Sequence, residues 1–393
     1  MFKPLILFIA LISFSFWSRG QNQYSIDSTL KSNTSIRVGY SPSRVIATND
    51  FLRTENKNGS PITQGHAISA EIIFQTTGRK YWHQLYNFPK FGFGITHLWF
   101  PQTNELGSPI GLYSFLESPI QKWKKSDLNW VFDFGIGLGW NAYDSLTNPY
   151  NVLLGSTGSF FANFSVVYHY QFNKRFGADA SIGFTHSSNG ALKMPNYGIN
   201  ILYPRLALTY HLKSVQQLPK PRKLPPFIPN NEISLTYALG TKQIDVTGSD
   251  NDSLKQEFKS TNFQLYSIIL MYQRQVSRLS KVGIGLDFTM DPSDNADGLV
   301  TGDLSSEYPP DFAEKVKFAI VLSYELAIGK LALICQPAFY FHRTTHDPTP
   351  FFYQRIGTRY DIYKGIYAGA SLRAVNFGQA DWVEFTVGYK AKF

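Results

Sequence analysis

Three residue types that together perform ester hydrolysis lie close in the sequence. His186 and Ser188 are separated by one residue, and Asn200 follows across a short loop in THSSNGALKMPNYGIN, residues 185–200. A serine hydroxyl becomes a competent nucleophile when an adjacent base takes its proton and a third group holds that base in place. Histidine supplies such a base near neutral pH. Residues i and i+2 of a β-strand are about 6.6 Å apart at Cα on one face, a gap that an imidazole and a hydroxyl can bridge. A His-x-Ser pair arises often by chance, and polar residues are ordinary where an apolar stripe leaves hydrocarbon. The elements that carry the three residues therefore decide what they can do.

Those elements read as strands. Phe176, Ala178, Ala180, Ile182, Phe184, His186 and Ser188 fall on one face, and Arg175, Gly177, Asp179, Ser181, Gly183, Thr185 and Ser187 on the other. On the next strand Gly198, Asn200, Leu202, Pro204, Leu206, Leu208, Tyr210 and Leu212 share a mostly apolar face, so Asn200 points the same way as the His/Ser pair. The same alternation runs through LNWVFDFGIGLGW, residues 128–140, where the even positions are apolar with Trp130 near one end and Trp140 at the other. In a membrane barrel such a face meets lipid between aromatic girdles, while the opposite face lines the lumen. His186, Ser188 and Asn200 then meet at the outer end of the lipid-facing wall. That place suits an ester in a membrane lipid, presented sideways from the outer leaflet. Asp133, Asp179, Arg175 and Arg205 alternate inward and read as lumen ion pairs.

The wider motif adds to this. His186-Ser187-Ser188-Asn189-Gly190, followed by Pro195-Asn196-Tyr197-Gly198-Ile199, resembles the lipid A 3-O-deacylase (PagL) or acyloxyacyl hydrolase family. The detailed likeness is confined to this stretch, and the strand layout extends it loosely over residues 30–212. The resemblance implies an outer-membrane β-barrel that removes an ester-linked acyl chain from lipid A without cofactor or metal. It implies Ser188 as nucleophile, His186 as base, and Asn189 with the backbone N–H at Gly190 as oxyanion donors. Lys193, in the same loop, is placed to meet a lipid A phosphate. The implied partners are lipid A or lipopolysaccharide, outer-membrane lipid and the barrel-assembly machinery, with a homodimer left open. Where the best-known members carry Glu directly after Gly-Ile, this chain has Asn200. An amide can orient the imidazole if its oxygen accepts from the ring, as in Cys-His-Asn proteases, so a slower enzyme or a different acyl substrate is expected. Two non-catalytic readings stand beside this one: a porin-like channel, and an inactive barrel descended from the enzyme.

Composition narrows the setting. The chain has 393 residues, 37 Lys+Arg against 28 Asp+Glu, 16% aromatic and 17% charged residues. About 25% charge is usual for a soluble domain. With 32 Phe and 23 Tyr it is not a disordered chain, and one cysteine, Cys335, excludes a disulfide scaffold and cysteine-held zinc or iron–sulfur centres. The net charge of +9 suits an anionic membrane surface, and nothing beyond charge points to nucleic acid. Met1-Phe2-Lys3, the apolar run from Pro4 to Trp17, and Ser18-Arg19-Gly20 read as a signal peptide over residues 1–20. Basic residues in Gln121–Lys125 and Lys213–Lys223 read as solvated charges. His342 and His346 have a spacing found among metal ligands, but in a strand-to-loop setting helical i, i+4 logic does not apply, and no metal site is expected.

The pattern predicts an all-β, antiparallel outer-membrane barrel protein of about 16 strands. The strands fall near residues 33–41, 64–75, 90–100, 108–118, 128–140, 157–171, 174–186 and 198–212, then 231–240, 258–275, 279–290, 314–327, 329–342, 351–363, 365–374 and 381–393. Residues 213–230 hold Pro219, Pro221, Pro225, Pro226 and Pro229 and read as a periplasmic linker. Residues 21–212 and 231–393 then form two halves, the second ending on Phe393. RFGADASIG (175–183) and GIYAGASLR (365–373) hint that one half duplicates the other. The halves could close as one porin-sized barrel or as two units in tandem, and about 360 mature residues over about 16 strands favours the single barrel.

Overall fold

The computed structural model describes residues 33–216, 218, 224–247, 249–303, 305–344 and 350–393. The signal-peptide reading of residues 1–20 and the prolines at 219 and 221 lie outside these residues. No helix is long and apolar enough to cross a membrane; the regular structure is dominated by sixteen strands.

The first eight are β1 (Asn33–Ile46), β2 (Gln64–Gln75), β3 (Lys90–Trp99), β4 (Gly107–Lys122), β5 (Ser126–Trp140), β6 (Gly158–Gln171), β7 (Phe176–Ser188) and β8 (Ile199–His211). The second eight are β9 (Asn231–Lys242), β10 (Phe263–Gln275), β11 (Ser280–Met290), β12 (Val316–Ile328), β13 (Leu331–His342), β14 (Phe352–Tyr363), β15 (Ile366–Val375) and β16 (Gln379–Lys392). Four short helices sit in connections: α1 (Asp50–Arg53), α2 (Tyr81–Leu85), α3 (Asp252–Phe258) and α4 (Ser293–Val300).

Of the two closures the sequence leaves open, the chain takes the second, two closed barrels, and the favoured single wide barrel is wrong. β1 pairs with β8, with Arg37 opposite Thr209, and β9 pairs with β16, with Leu235 opposite Tyr389, so each half closes on itself. The physical reason lies in the inward side chains. An eight-stranded barrel has a lumen just wide enough for side chains to fill, and the inward residues here are large enough to fill it. In the first barrel Arg37 bonds Glu71 at 2.5 Å and Glu117 at 3.0 Å, and Arg205 bonds Glu71 at 2.8 Å. Tyr113 and Phe115 pack beside them with Ile73, Val131 and Val167. Asp133 accepts from Asn163, and Asp179 pairs with His169 at 2.8 Å. Arg175, read as a lumen residue, is instead exposed in the β6–β7 turn, where its guanidinium donates to the Leu212 carbonyl at 2.7 Å. It stands one residue before β7 begins, so strand alternation does not reach it.

In the second barrel ion pairs run through the lumen. Lys317 bonds Asp294 at 2.6 Å, and Lys242 bonds Asp291 and Asp381 at 3.0 and 2.8 Å. Arg355 and Arg373 both reach Asp287 and Glu384, at distances from 2.5 to 3.0 Å. Lys281 bonds Glu232 and Glu325, and Arg359 bonds the same two carboxylates. Charges removed from water persist only when paired, and this lumen pairs them.

The outward faces are apolar, as the alternation requires. Ile182 and Phe184 on β7, Leu206 and Leu208 on β8, and Ile268 and Leu270 on β10 are all exposed. Trp140 is an exception to the expected aromatic girdle. Gly139 at φ +88° breaks the pleat, and both its N–H and that of Trp140 donate to the Thr157 carbonyl, a bulge that turns the indole inward. Trp140 is 4% exposed and donates to Ser159 Oγ at 2.9 Å.

One further expectation shifts. The strand placed from residue 258 begins at Phe263, because α3 and a turn occupy the preceding residues. The β2–β3 connection, residues 76–89, is long and holds α2. Burial, with Lys80 close by, pushes the His83 imidazole of α2 down to about 3, so it is neutral at physiological pH.

Candidate active site

β7 and β8 place the three candidate residues. His186 and Asn200 are direct cross-strand partners, and Thr185 lies opposite Ile201. The pleat then gives Ser187 to the lumen, where its Oγ lies 2.8 Å from Ser159 Oγ and 3.2 Å from the Phe160 carbonyl. Ser188 consequently shares the outer face with His186. The imidazole is half-buried and Ser188 is 6% exposed.

His186 Nδ1 donates to Asn200 Oδ1 at 2.7 Å. That bond sets the tautomer: the proton sits on Nδ1, and Nε2 carries the lone pair. An amide at position 200 thus does the orienting that a carboxylate would do, without its negative charge. No hydrogen bond joins His186 to Ser188 Oγ in this arrangement; such bonds commonly tighten only when substrate is bound.

The loop after β7 is shaped by residues that sequence reasoning left without a role. Asn196 Oδ1 accepts the backbone N–H of Asn189 at 2.8 Å, which fixes the chain just past the serine. Asn189 is 1% exposed, and Gly190 and Ala191 follow at φ +68° and +61°. With its backbone N–H engaged, Asn189 has only its side chain to offer an oxyanion, alongside the N–H of Gly190. Gly198, at φ +68°, packs flat against the pair: a Cβ there would stand 3.0 Å from His186 Cε1 and 3.2 Å from Ser188 Cβ. The Pro-Asn-x-Gly-Ile spacing was the available signal for Asn196 and Gly198, although it does not say what each does. Lys193 is exposed in the same loop.

The β5–β6 connection holds the turn from the other side. Tyr197 N–H donates to the Val152 carbonyl at 3.2 Å and Gly198 N–H to Leu153 at 3.0 Å. Leu153, Leu154, Ile199 and Ile201 join Val45, Phe51, Leu52, Ile62, Phe100, Leu106 and Trp140 in one buried cluster at this end of the barrel. Burying a Leu or Phe fully contributes about 1.5–3 kcal/mol, so this cluster anchors the crown of loops firmly beneath the candidate residues. Elsewhere, His342 ends β13 and packs against Phe318 with the rings tilted by 52° and their centroids 5.6 Å apart, while His346 lies outside the described residues. Among the described residues no group of His, Cys, Asp or Glu is disposed to hold a metal.

The hairpin that carries these three residues belongs to a closed antiparallel barrel of eight strands. Residues 66–209 match the family described as lipid A 3-O-deacylase (PagL), and residues 231–393 match the acyloxyacyl hydrolase C-terminal domain. The chain belongs to this family, in a longer form in which each match falls on one barrel. No curated protein matches the chain. Among solved structures, three mutants of the Rhodopseudomonas blastica porin align over 92% of this chain and 99% of theirs, at 7 or 8% identity and TM-scores of 0.17 or 0.18.

Proposed function

We propose that the chain is an outer-membrane serine esterase that removes an ester-linked acyl chain from lipid A or a related outer-leaflet lipid. The observation that carries this reading is the 2.7 Å bond from His186 Nδ1 to Asn200 Oδ1, on the wall that also bears Ser188. With Nδ1 protonated, Nε2 is the basic nitrogen and takes the Ser188 proton as Oγ adds to the ester carbonyl. The tetrahedral oxyanion is met by the Gly190 N–H and the Asn189 side chain. The imidazolium returns its proton to the departing sugar oxygen, leaving an acyl-serine. Water, deprotonated by the same nitrogen, then releases the fatty acid and restores Ser188. Lys193 meets a phosphate of the lipid headgroup. Residues 1–20 direct export, and residues 213–230 link the two barrels on the periplasmic side.

The wall position favours this over a channel. A channel's working residues face the lumen, whereas the hydrolytic set faces outward, and the second lumen is crossed by paired charges. The test is mass spectrometry of lipid A from a Gram-negative host expressing the wild type, Ser188→Ala or His186→Ala. Loss of one acyl chain with the wild type and neither variant is expected. Unchanged lipid A with folded wild type, or cleavage by Ser188→Ala, refutes the serine mechanism on this substrate.

A further inference from the structure

We propose that the loop crown of the first barrel carries a second binding site, for the saccharide that extends from the glycolipid substrate. This rests on the esterase reading for its source of sugar, but its chemistry comes from a separate cleft. That cleft, of about 740 Å³, opens between the β1–β2, β3–β4 and β5–β6 connections.

Its lining is dominated by amides held at one end. Asn58 Nδ2 donates to the Gln102 carbonyl at 2.8 Å, and Gln102 Oε1 accepts the N–H groups of Thr63 and Gln64 at 2.7 and 2.8 Å. Asn141 Nδ2 donates to the Asn104 carbonyl at 2.6 Å, and Asn148 Nδ2 to those of Glu105 and Ala142 at 3.0 and 3.1 Å. Each bond locks a side chain and leaves its other end unspent. Asn148 is 8% exposed, and its Oδ1 is a buried acceptor with no partner.

Hydroxyl groups fit this lining best, because each both donates and accepts. Pre-fixed amides also lower the entropic cost of binding a flexible polar ligand. The charges present do not favour an anion. Lys57 sends its ammonium to the Thr147 carbonyl at 2.9 Å, and the carboxylate of Glu105 also lines the cleft. A neutral, hydroxyl-rich saccharide is therefore the ligand class. The cleft and the candidate active site share one loop: residues 141–157 contribute Asn141 and Asn148 here, and Val152 and Leu153 hold the turn that carries Gly198. Sugar bound in the crown would steady the turn against which His186 and Ser188 pack.

The test uses the full chain in detergent micelles, with the neutral outer-core hexose oligosaccharide of a rough lipopolysaccharide, freed of lipid and of the acidic inner-core sugars, titrated calorimetrically. Wild type and Ser188→Ala should bind equally. Asn104→Trp, which fills the cleft from an exposed position, should bind at least about ten-fold more weakly. Dextran sulfate of similar size, a polyanionic saccharide, should bind at least about ten-fold more weakly than this neutral oligosaccharide. Absence of binding by the wild type, equal binding by Asn104→Trp, or equal binding of dextran sulfate overturns the proposal. Because the probe has no ester, binding by a chain that deacylates nothing would refute the esterase reading alone.

Discussion

The two barrels share a strand number and a mode of closure, yet they spend their interiors and rims differently. The seventh strand shows this directly. RFGADASIG leads into β7 and GIYAGASLR into β15, each the seventh strand of its barrel. With Phe176 set against Ile366, His186 and Ser188 correspond to Asn376 and Gly378. There β15 has already ended, and a tight turn closes with Gly378 N–H donating to the Val375 carbonyl at 3.1 Å. The first barrel prolongs the strand and places His186 and Ser188 on the extension; the second stops short and leaves Asn376 and Gly378 in the turn. Both lumens are braced by charge pairs, Arg37 and Arg205 on Glu71 in the first and Arg355 and Arg373 on Glu384 in the second. The first barrel also keeps a cavity of about 100 Å³ toward its crown, lined by Ser69, Thr185 and Ser187 among others.

Substitutions can break or sharpen this contrast. The largest expected effect is Ser188→Ala, which should lower the deacylation rate by at least about 10³-fold, read by fatty-acid release. Next is Glu384→Ala in the second barrel. It takes from Arg355 and Arg373 one of their two shared carboxylates, leaving both guanidiniums on Asp287, and should cost about 3–5 kcal/mol in urea unfolding, with deacylation by the folded protein changed less than about two-fold. Asn200→Ala removes the ring's partner and should slow turnover by about 100-fold, while Asn200→Asp, which adds charge to the same geometry, should speed it. An increase with Ala would show that the 2.7 Å bond does not matter to the reaction.

A smaller effect concerns acid. His83 is held neutral down to about pH 3, whereas the unfolded chain takes up a proton there near pH 6.5. Stability from this group is complete above about pH 6.5 and falls as the pH drops, by about 2 kcal/mol at pH 5. His83→Gln should flatten that loss in the first barrel's unfolding transition. The second barrel has only tight turns at the corresponding connections. Smallest is Ser187→Ala, which forfeits hydrogen bonds inside the lumen worth about 1 kcal/mol and should leave turnover within about three-fold of wild type.

Period-two alternation made all sixteen strands legible, since each buries one face and offers the other to apolar surroundings. It also placed His186 and Ser188 on one side and Ser187 on the other. What it could not convey was closure. Pairing of β1 with β8 rather than with β16 depends on lumen volume, a sum over side chains such as Arg37, Tyr113 and Phe115 that no single strand displays. Trp140 was misplaced because one left-handed glycine shifts the phase of everything after it. Asn196 and Gly198 act through the backbone of a folded loop, which residue type alone does not reveal.

The adjacency of Ser187 and Ser188 has a consequence for how such a protein can change. The two hydroxyls are the same chemical group, and only parity along the strand decides which one faces outward. Deleting one residue within β7 upstream of them would exchange their addresses, sending the outer hydroxyl into the barrel and the inner one to its outer wall. The imidazole would move with them while Asn200, on β8, stayed in place, so His186 and its partner would part. A lineage could thus break or restore this arrangement by a change of phase, with every side chain of it still in the chain.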